Sequence, residues 1–552
     1  MTARTQASKV ISPLQAFVLA AAVSLALILV LVPVLPGQTP LHVGDRAYKT
    51  FEADGQTIAS AGEPVTQPQL DRIKGAGLLD NRLDAGDALA ASVVGVLGGA
   101  FLGLYLYLFQ PPEVNTARRL FLVGLVVVLW VAAAKVLLSP VLPDHDRLYL
   151  GYMLPIAAAP MLIATLLDAG LAVAVAGLIA VLAAFAGFYM PDARHASVGP
   201  LEALQMTMAF LLGSLAGIYA MRDAERVNSY ARAGVSVGLV TFALLFSFWL
   251  LLPDREGVDL IWLVVSSGMG ALGAVVITLG ATVVLGAMFG VTTRIQLMEM
   301  AQISHPLLRE LQEKAPGTFH HSVIVGNLAE RAADLTGADS LLVRVGSYFH
   351  DIGKIAHPSY YIENQIETAN PHDKLQPAAS ARIVSEHVRA GIELTGRHRV
   401  PARVRAFVRE HHGTRLVTYF YRKASAVDPD VDPEKFRYPG PRPQSKETAI
   451  VMLADSVEAV VRSSKDRSHE KIDSLVDAVI AERLAEGQLD DSDLTLRDIR
   501  IIGESFKATL RGIYHPRIEY PAPTPAEAQM AGAQTTVGYL KPPSEPMEAP
   551  PL

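Results

Sequence analysis

No cysteine occurs in the 552 residues. That absence excludes disulfides, thiolate zinc sites, iron–sulfur clusters and cysteine nucleophiles together. Any metal this chain binds must be held by imidazole and carboxylate. A basic excess is also missing: 48 Lys and Arg stand against 54 Asp and Glu, both signs spread along the chain, for a net charge of −6. No footprint for a nucleic-acid polymer follows from that balance. Nor is this an ordinary soluble composition, with 51% apolar residues and a mean hydropathy of +0.30. A chain of this length requires at least two folding units.

What the sequence does have is a series of long apolar runs, and runs near twenty residues can cross the hydrocarbon core as helices. Eight are expected, near 14–35, 86–109, 119–142, 149–167, 169–190, 199–221, 232–252 and 261–289. The first is long and no A-x-A site closes it, so it reads as an uncleaved anchor rather than a signal peptide. Basic residues set the orientation. Arg4 and Lys9 precede the first span, Arg118, Arg119, Arg222, Arg226 and Arg232 fall in alternate short loops, and Arg294 follows the last span. The opposite short loops carry only Arg147, Arg194 and Arg255, and the turn at Asp168 carries no positive charge. Eight crossings with this pattern place both termini on the cytoplasmic side of a bacterial cell membrane. Residues 37–84 are then a short extracytoplasmic segment and 85–290 a seven-helix transmembrane domain. Lys135 lies inside a span near its outer end, where snorkelling is expected.

After Gly290 the pattern becomes amphipathic. TRIQLMEMAQISHPLLRELQEK, residues 293–314, spaces its apolar residues as one helix does, a coupling helix within 291–317 that Pro316–Gly317 stops. Residues 318–516 alternate helical segments with short loops. The fold class is therefore all-α: a polytopic membrane helix bundle followed by an all-helical cytoplasmic domain. Residues 517–552, rich in Pro, Ala and Glu without apolar periodicity, read as disordered.

Within the helical domain the histidines fall in particular places. His321 starts one helix, and His350 and Asp351 end another. His387 sits midway along a third, and His411 and His412 end a fourth before Gly413, a C-cap residue. Asp455 is embedded in the apolar run IVMLADSVEAVV, where a carboxylate is costly unless a positive group meets it. Singly, each has a bland explanation: a helix cap for His321, a polar helix end for His411–His412, a surface residue for His387, an arginine partner for Asp455. Five His and two Asp on helix ends or apolar helices of one domain point instead to a metal site.

These residues carry a family resemblance. His350–Asp351–Ile352–Gly353 matches the HDIG element of the HD superfamily of metal-dependent phosphohydrolases. APGTFHHSVIVGNLAE, YFHDIGKIAHPSYYIENQ, NPHDKL, HHGTRLVTYFY, FRYPGPRPQSKETAIVMLADSVEAVVR and LTLRDI together resemble the seven-transmembrane HD proteins. The PgpH-type cyclic di-AMP phosphodiesterases are the characterised branch of that family. The resemblance implies two divalent metal ions, iron or manganese. His321, His350, Asp351 and Asp455 would hold one and His387, His411 and His412 the other, with Asp351 bridging. His320 is set aside, because the family ligand is the histidine followed directly by Ser. His372–Asp373, after Asn370–Pro371 in a loop, is left off the ligand list, with His372 given a role at the substrate mouth.

The chemistry explains these residue types. A phosphodiester repels hydroxide, and a metal pair ~3.5–4 Å apart can activate water near neutral pH and stabilise both attacking and leaving oxygens. Asp351 and His350 are the catalytic centre of this reading. Lys354, a turn from His350, is placed to meet a phosphate oxygen, with an ordinary solvated lysine as the alternative. Tyr360, Tyr361 and Asn364 are placed to face a base, or to pack in the core.

The expected activity is hydrolysis of cyclic di-AMP to linear pApA, with a cyclic dinucleotide and the lipid bilayer as partners and a homodimer as an option. Cyclic di-GMP hydrolysis is the second reading. The related HD-GYP proteins follow their HH pair with Glu and a Gly-Tyr-Pro element, whereas His412 here runs into GTRLVTYFY. Guanosine tetraphosphate hydrolysis is a weaker third. A nucleotide-binding receptor without turnover is the alternative of a different class. The family usually carries a sizeable extracytoplasmic domain after the anchor, which residues 37–84 are too short to form.

Overall fold

The structure is a computed structural model. It describes residues 11–33, 41–47, 50–53, 55–60, 62–79, 85–111, 113–114, 116–142, 144, 147–188, 200–222, 228–253, 255–365 and 370–514. Arg4, Lys9, Arg194, Arg226 and the 517–552 tail lie outside the described residues. Those described divide into two compact units. One takes the chain up to Phe319 with Tyr348–Thr368 and Glu386–Val408, and the other takes His320–Ser347, Ala369–Ser385 and the chain from Arg409.

In the first unit, α1 (Pro13–Leu31), α3 (Ala85–Phe109), α4 (Ala117–Leu138), α6 (Ala169–Phe188), α7 (Pro200–Met221), α8 (Asn228–Trp249) and α9 (Asp259–Phe289) are long and apolar enough to cross a membrane. That is seven among the described residues, one fewer than expected. The missing one is the 149–167 run. It forms a 3₁₀ turn, Leu150–Met153, then a break at Pro155 and a short helix, α5 (Ala158–Leu166). Nine residues of helix cover only about 13 Å, and Pro155 cannot donate the hydrogen bond that would join the two pieces. Non-helical backbone at membrane depth survives only where protein surrounds it. Here α5 and the turn pack on α9, and α5 also packs on α6 and α7.

α1 is an integral part of the bundle rather than a loose anchor, lying along α3. Gly99 makes this approach feasible: a Cβ there would overlap Ser24 Oγ and lie 2.6 Å from the Ala20 carbonyl oxygen. Lys135 on α4 does not snorkel. Its side chain is 3% exposed, and its ammonium donates to the carbonyls of Leu31, at 2.8 Å, and Pro33. The last carbonyls of a helix lack intrahelical donors, so the end of α1 supplies at close range the partner that an interfacial water would otherwise provide.

Between α1 and α3 the chain folds into a small module, which polar composition concealed. β1 (Phe51–Ala53) pairs antiparallel with β2 (Gln56–Ala59), and α2 (Gln67–Gly75) follows a Thr66–Gln69 capping box. Phe51, Ile58, Val65, Leu70 and Ile73 form its core. Among the described residues these two strands are the exception to the all-α expectation.

After α9 the expected single coupling helix is two: α10 (Arg294–Met300) and α11 (Pro306–Lys314). Pro306 enforces the break, and His305 caps the new helix by accepting the Leu307 N–H at Nδ1, 3.3 Å. Pro316, expected to end a helix, is instead the first residue of α12 (Pro316–Thr336). The remaining helices are α13 (Ser340–Phe349), α14 (Pro377–Arg397), α15 (Ala402–Glu410), α16 (Thr418–Ser425), α17 (Lys446–Ser463), α18 (His469–Ala485) and α19 (Leu496–Ile513). Among the described residues after α11 they bear out the all-helical reading. α17 starts on a Ser445–Thr448 capping box and is buried almost throughout its first three turns.

Candidate metal centre

In the first unit, α13 ends at Phe349 and His350 and Asp351 form the turn into a 3₁₀ helix, Ile352–Ala356. α11 packs on that 3₁₀ helix. Gly353 is required there: a Cβ would overlap the His387 carbonyl oxygen and sit 2.5 Å from the Gly391 amide. This close approach sets α14 against the turn and carries His387 to Asp351. Asp351 Oδ1 lies 3.3 Å from His387 Nε2, and Oδ2 lies 3.3 Å from His350 Nε2. All three residues are at most 2% exposed.

Lys354 is not a solvated lysine. Its Nζ stands 2.7 Å from Asp351 Oδ2 and 2.7 Å from Glu363 Oε1, over the Tyr361 ring at 5.0 Å. Burial opposes its charge, but the two carboxylates outweigh burial and hold its pKa above the ordinary lysine range. Burial likewise opposes ionisation of Glu363, yet the Lys354 charge pulls that carboxyl down to about 2. Thr318 Oγ1 also donates to Glu363 Oε1, at 3.1 Å.

Asn364, expected to face a base, is committed elsewhere. Its carbonyl oxygen accepts the Thr318 amide at 3.1 Å, and its amide donates to Thr318 Oγ1 at 2.8 Å. Tyr361 is buried and meets the His387 ring edge-on, at 5.9 Å and 88°. Burial pushes its phenol pKa up.

The second unit has its own cluster. His321 lies in the second turn of α12, and Asp455 and Glu458 face it from α17. His321 Nε2 is 3.1 Å from Asp455 Oδ1, and His412 Nδ1 is 3.7 Å from Asp455 Oδ2. His411 and His412 follow the end of α15, their rings 4.0 Å apart. Tyr438 stacks on His412 at 4.1 Å, held there by its own amide, which donates to the Arg415 carbonyl at 2.9 Å. Burial disfavours an imidazolium at His321, but hydrogen bonds and charge from Asp455 and Glu458 outweigh it and hold the ring at about 9. His372 sits on a separate 3₁₀ turn, Pro371–Lys374, buried with its ring 5.0 Å from Phe420.

In each unit a carboxylate thus turns its two oxygens to two different imidazoles. Ligand atoms of Asp351 and His387, of His411 and His412, and of His321 and Asp455 lie within 4.8 Å of each other. Imidazole nitrogens around carboxylate oxygens, buried and without thiolate, fit a divalent first-row metal. These His/Asp clusters suggest divalent metal binding. Glu363, Glu458 and Tyr438 were not singled out from sequence. Glu458 carries the same signal as Asp455, an acid inside the apolar run of α17, whereas nothing in the sequence marks Glu363.

A polytopic helix bundle joined to a helical domain with an HDIG turn and buried His/Asp pairs defines a class, the integral-membrane HD-domain proteins. Residues 88–293 match the family described as a 7TM receptor with intracellular HD hydrolase, and residues 318–460 match the HD domain. The chain is 34% identical over 470 residues to the cyclic-di-AMP phosphodiesterase PgpH of Listeria monocytogenes, covering 85% of this chain and 63% of that protein. It is 31% identical over 489 residues to PgpH of Bacillus subtilis, covering 88% and 67% respectively. An uncharacterised Synechocystis protein is 32% identical over 507 residues, with 88% of this chain and 58% of that one covered. The chain therefore spans between 58% and 67% of the length of these relatives. The solved HD domain of Listeria PgpH with cyclic di-AMP shares 49% identity, covering 39% of this chain and all of that one, with a TM-score of 0.38. This chain belongs to the seven-transmembrane HD-domain (HDIG) family, in its PgpH-type branch. It is a multi-pass membrane protein.

Proposed function

We propose that this protein is a membrane-bound, metal-dependent phosphodiesterase that opens cyclic di-AMP to linear pApA. The carrying observation is the carboxylate of Asp351, whose two oxygens each stand 3.3 Å from a different buried imidazole. In this reading His321, His350, Asp351 and Asp455 would hold one ion, and His387, His411 and His412 would hold a second, with Asp351 contributing to both. Two such ions, iron or manganese, supply Lewis acidity and a usable water nucleophile at neutral pH.

The chain's own residues do the rest. Lys354 fixes the Asp351 carboxylate and brings a positive charge beside the phosphodiester. Glu363 and Thr318 keep that ammonium in place. Tyr438 and Tyr361 fix the planes of His412 and His387. Asn364, spent on Thr318, leaves the set of base contacts, while His372 keeps its role at the substrate mouth. The choice of cyclic di-AMP is supported by what the Listeria and Bacillus relatives are called. A second copy of the chain is not required by this chemistry.

The HD domain and both termini face the cytoplasm in this reading. With Arg118 and Arg119 in the first turn of α4, Arg222 and Arg232 around the α7–α8 turn and Arg294 after α9 on one side, the interrupted 149–166 segment must complete a crossing. A cysteine-free chain allows single-cysteine labelling with no background: the Arg118→Cys and Arg294→Cys variants should react only from the cytoplasmic side.

The activity test uses the full chain in detergent, loaded with manganese or iron, and offered cyclic di-AMP, cyclic di-GMP and guanosine tetraphosphate. Formation of pApA is the expected result. Stoichiometric metal without hydrolysis of any of the three would overturn the enzyme reading in favour of a receptor.

A further inference from the structure

Asp455 and Glu458 lie three residues apart on α17 and so share a face. They divide the two nitrogens of one imidazole: His321 Nε2 is 3.1 Å from Asp455 Oδ1, while Nδ1 is 2.6 Å from Glu458 Oε2. Glu458 is completely buried. Its other oxygen is 3.5 Å from Arg462 Nε one turn further along α17. A carboxylate at this depth is costly, and a partly exposed arginine at that distance offsets only part of the cost.

An imidazole that binds a metal through Nε2 must carry its proton on Nδ1. A carboxylate accepting that proton's hydrogen bond fixes the tautomer and the ring plane and raises the basicity of Nε2. Glu458 stands where this requires, on the nitrogen that points away from Asp455. We propose that Glu458 is a positioning residue for metal binding, acting through His321 and contacting neither metal nor substrate. The inference rests on the reading of His321 as a ligand.

The test measures Mn²⁺ affinity of the metal-stripped full chain in detergent by calorimetry, with circular dichroism confirming helical content. Glu458→Ala should weaken Mn²⁺ binding about 10- to 100-fold. Glu458→Gln, which keeps an oxygen able to accept from Nδ1, should recover much of that loss, a rescue that a purely structural role would not give. In a His321→Ala background, Glu458→Ala should cost nothing further. Unchanged affinity in Glu458→Ala, or an equal loss with and without His321, overturns the inference. If His321→Ala alone leaves affinity intact, the ligand reading fails and takes this inference with it, a different outcome from failure of Glu458 alone.

Discussion

Asp351 and His387 stand 3.3 Å apart, Oδ1 to Nε2, although they come from different helical elements. What joins them is a missing side chain: without a Cβ at Gly353, the His387 carbonyl can press against the 3₁₀ turn that follows Asp351. The most conspicuous short motif in the sequence therefore contains two kinds of information, ligands at its start and a packing requirement at its end.

Gly353→Ala should disrupt that approach. Both atoms in the way are backbone, so neither can rotate aside, and the cost should fall at or above the ~1–3 kcal/mol of overpacking. A lowered melting temperature with weakened Mn²⁺ binding is expected. Calorimetry on the purified variant checks it, and wild-type affinity would contradict the packing role.

Asp351→Asn keeps the shape and removes the charge. Turnover should disappear and bound metal should fall, measured by elemental analysis, while helical content stays close to wild type. A fully active variant would rule out the bridging role.

Lys354→Met leaves the carboxylates of Asp351 and Glu363 facing each other without a counter-charge. Breaking a buried pair costs ~3–5 kcal/mol, so the variant should melt well below wild type when stripped of metal. Glu363→Gln removes one of the two negative charges, and adding it to Lys354→Met should recover part of the loss. Strict additivity of the two substitutions in thermal unfolding would argue against the triad.

The acid–base behaviour of His321 gives a pH prediction for the metal-stripped protein. Its folded pKa is about 9, above the ~6.5 of an unfolded chain. The protonated ring's contribution is thus fully present below about pH 6.5 and is lost as pH rises through about 9. Denaturant unfolding without metal should weaken across that window, and His321→Gln should flatten the slope. Metal requires the neutral ring, so affinity should rise over the same range.

Much of the centre could be read from sequence, because buried histidines and acids on apolar helices are anomalous wherever they occur. Asp455 stood out in IVMLADSVEAVV by that reasoning. Glu458, three residues later, meets the same criterion but lies outside the ligand pattern that the family resemblance implies. Lys354 and Glu363 could not be paired from sequence, since nothing local brings Glu363 back to the HDIG turn. In the membrane region apolar length located the spans, but the 149–167 run also contains Pro155, which breaks its helix. Pro306 split the coupling helix for the same reason. Lys135 misled because snorkelling assumes water as the only partner, whereas the carbonyl end of α1 was close by.

The most direct test of the central claim is a paired measurement on the full chain: metal content per protein, and conversion of cyclic di-AMP to pApA before and after chelation. Two divalent ions per chain, with hydrolysis lost on their removal and restored by manganese or iron, is the predicted result. Hydrolysis that persists after the metal is gone, or a metal-replete protein that leaves cyclic di-AMP intact, would contradict it.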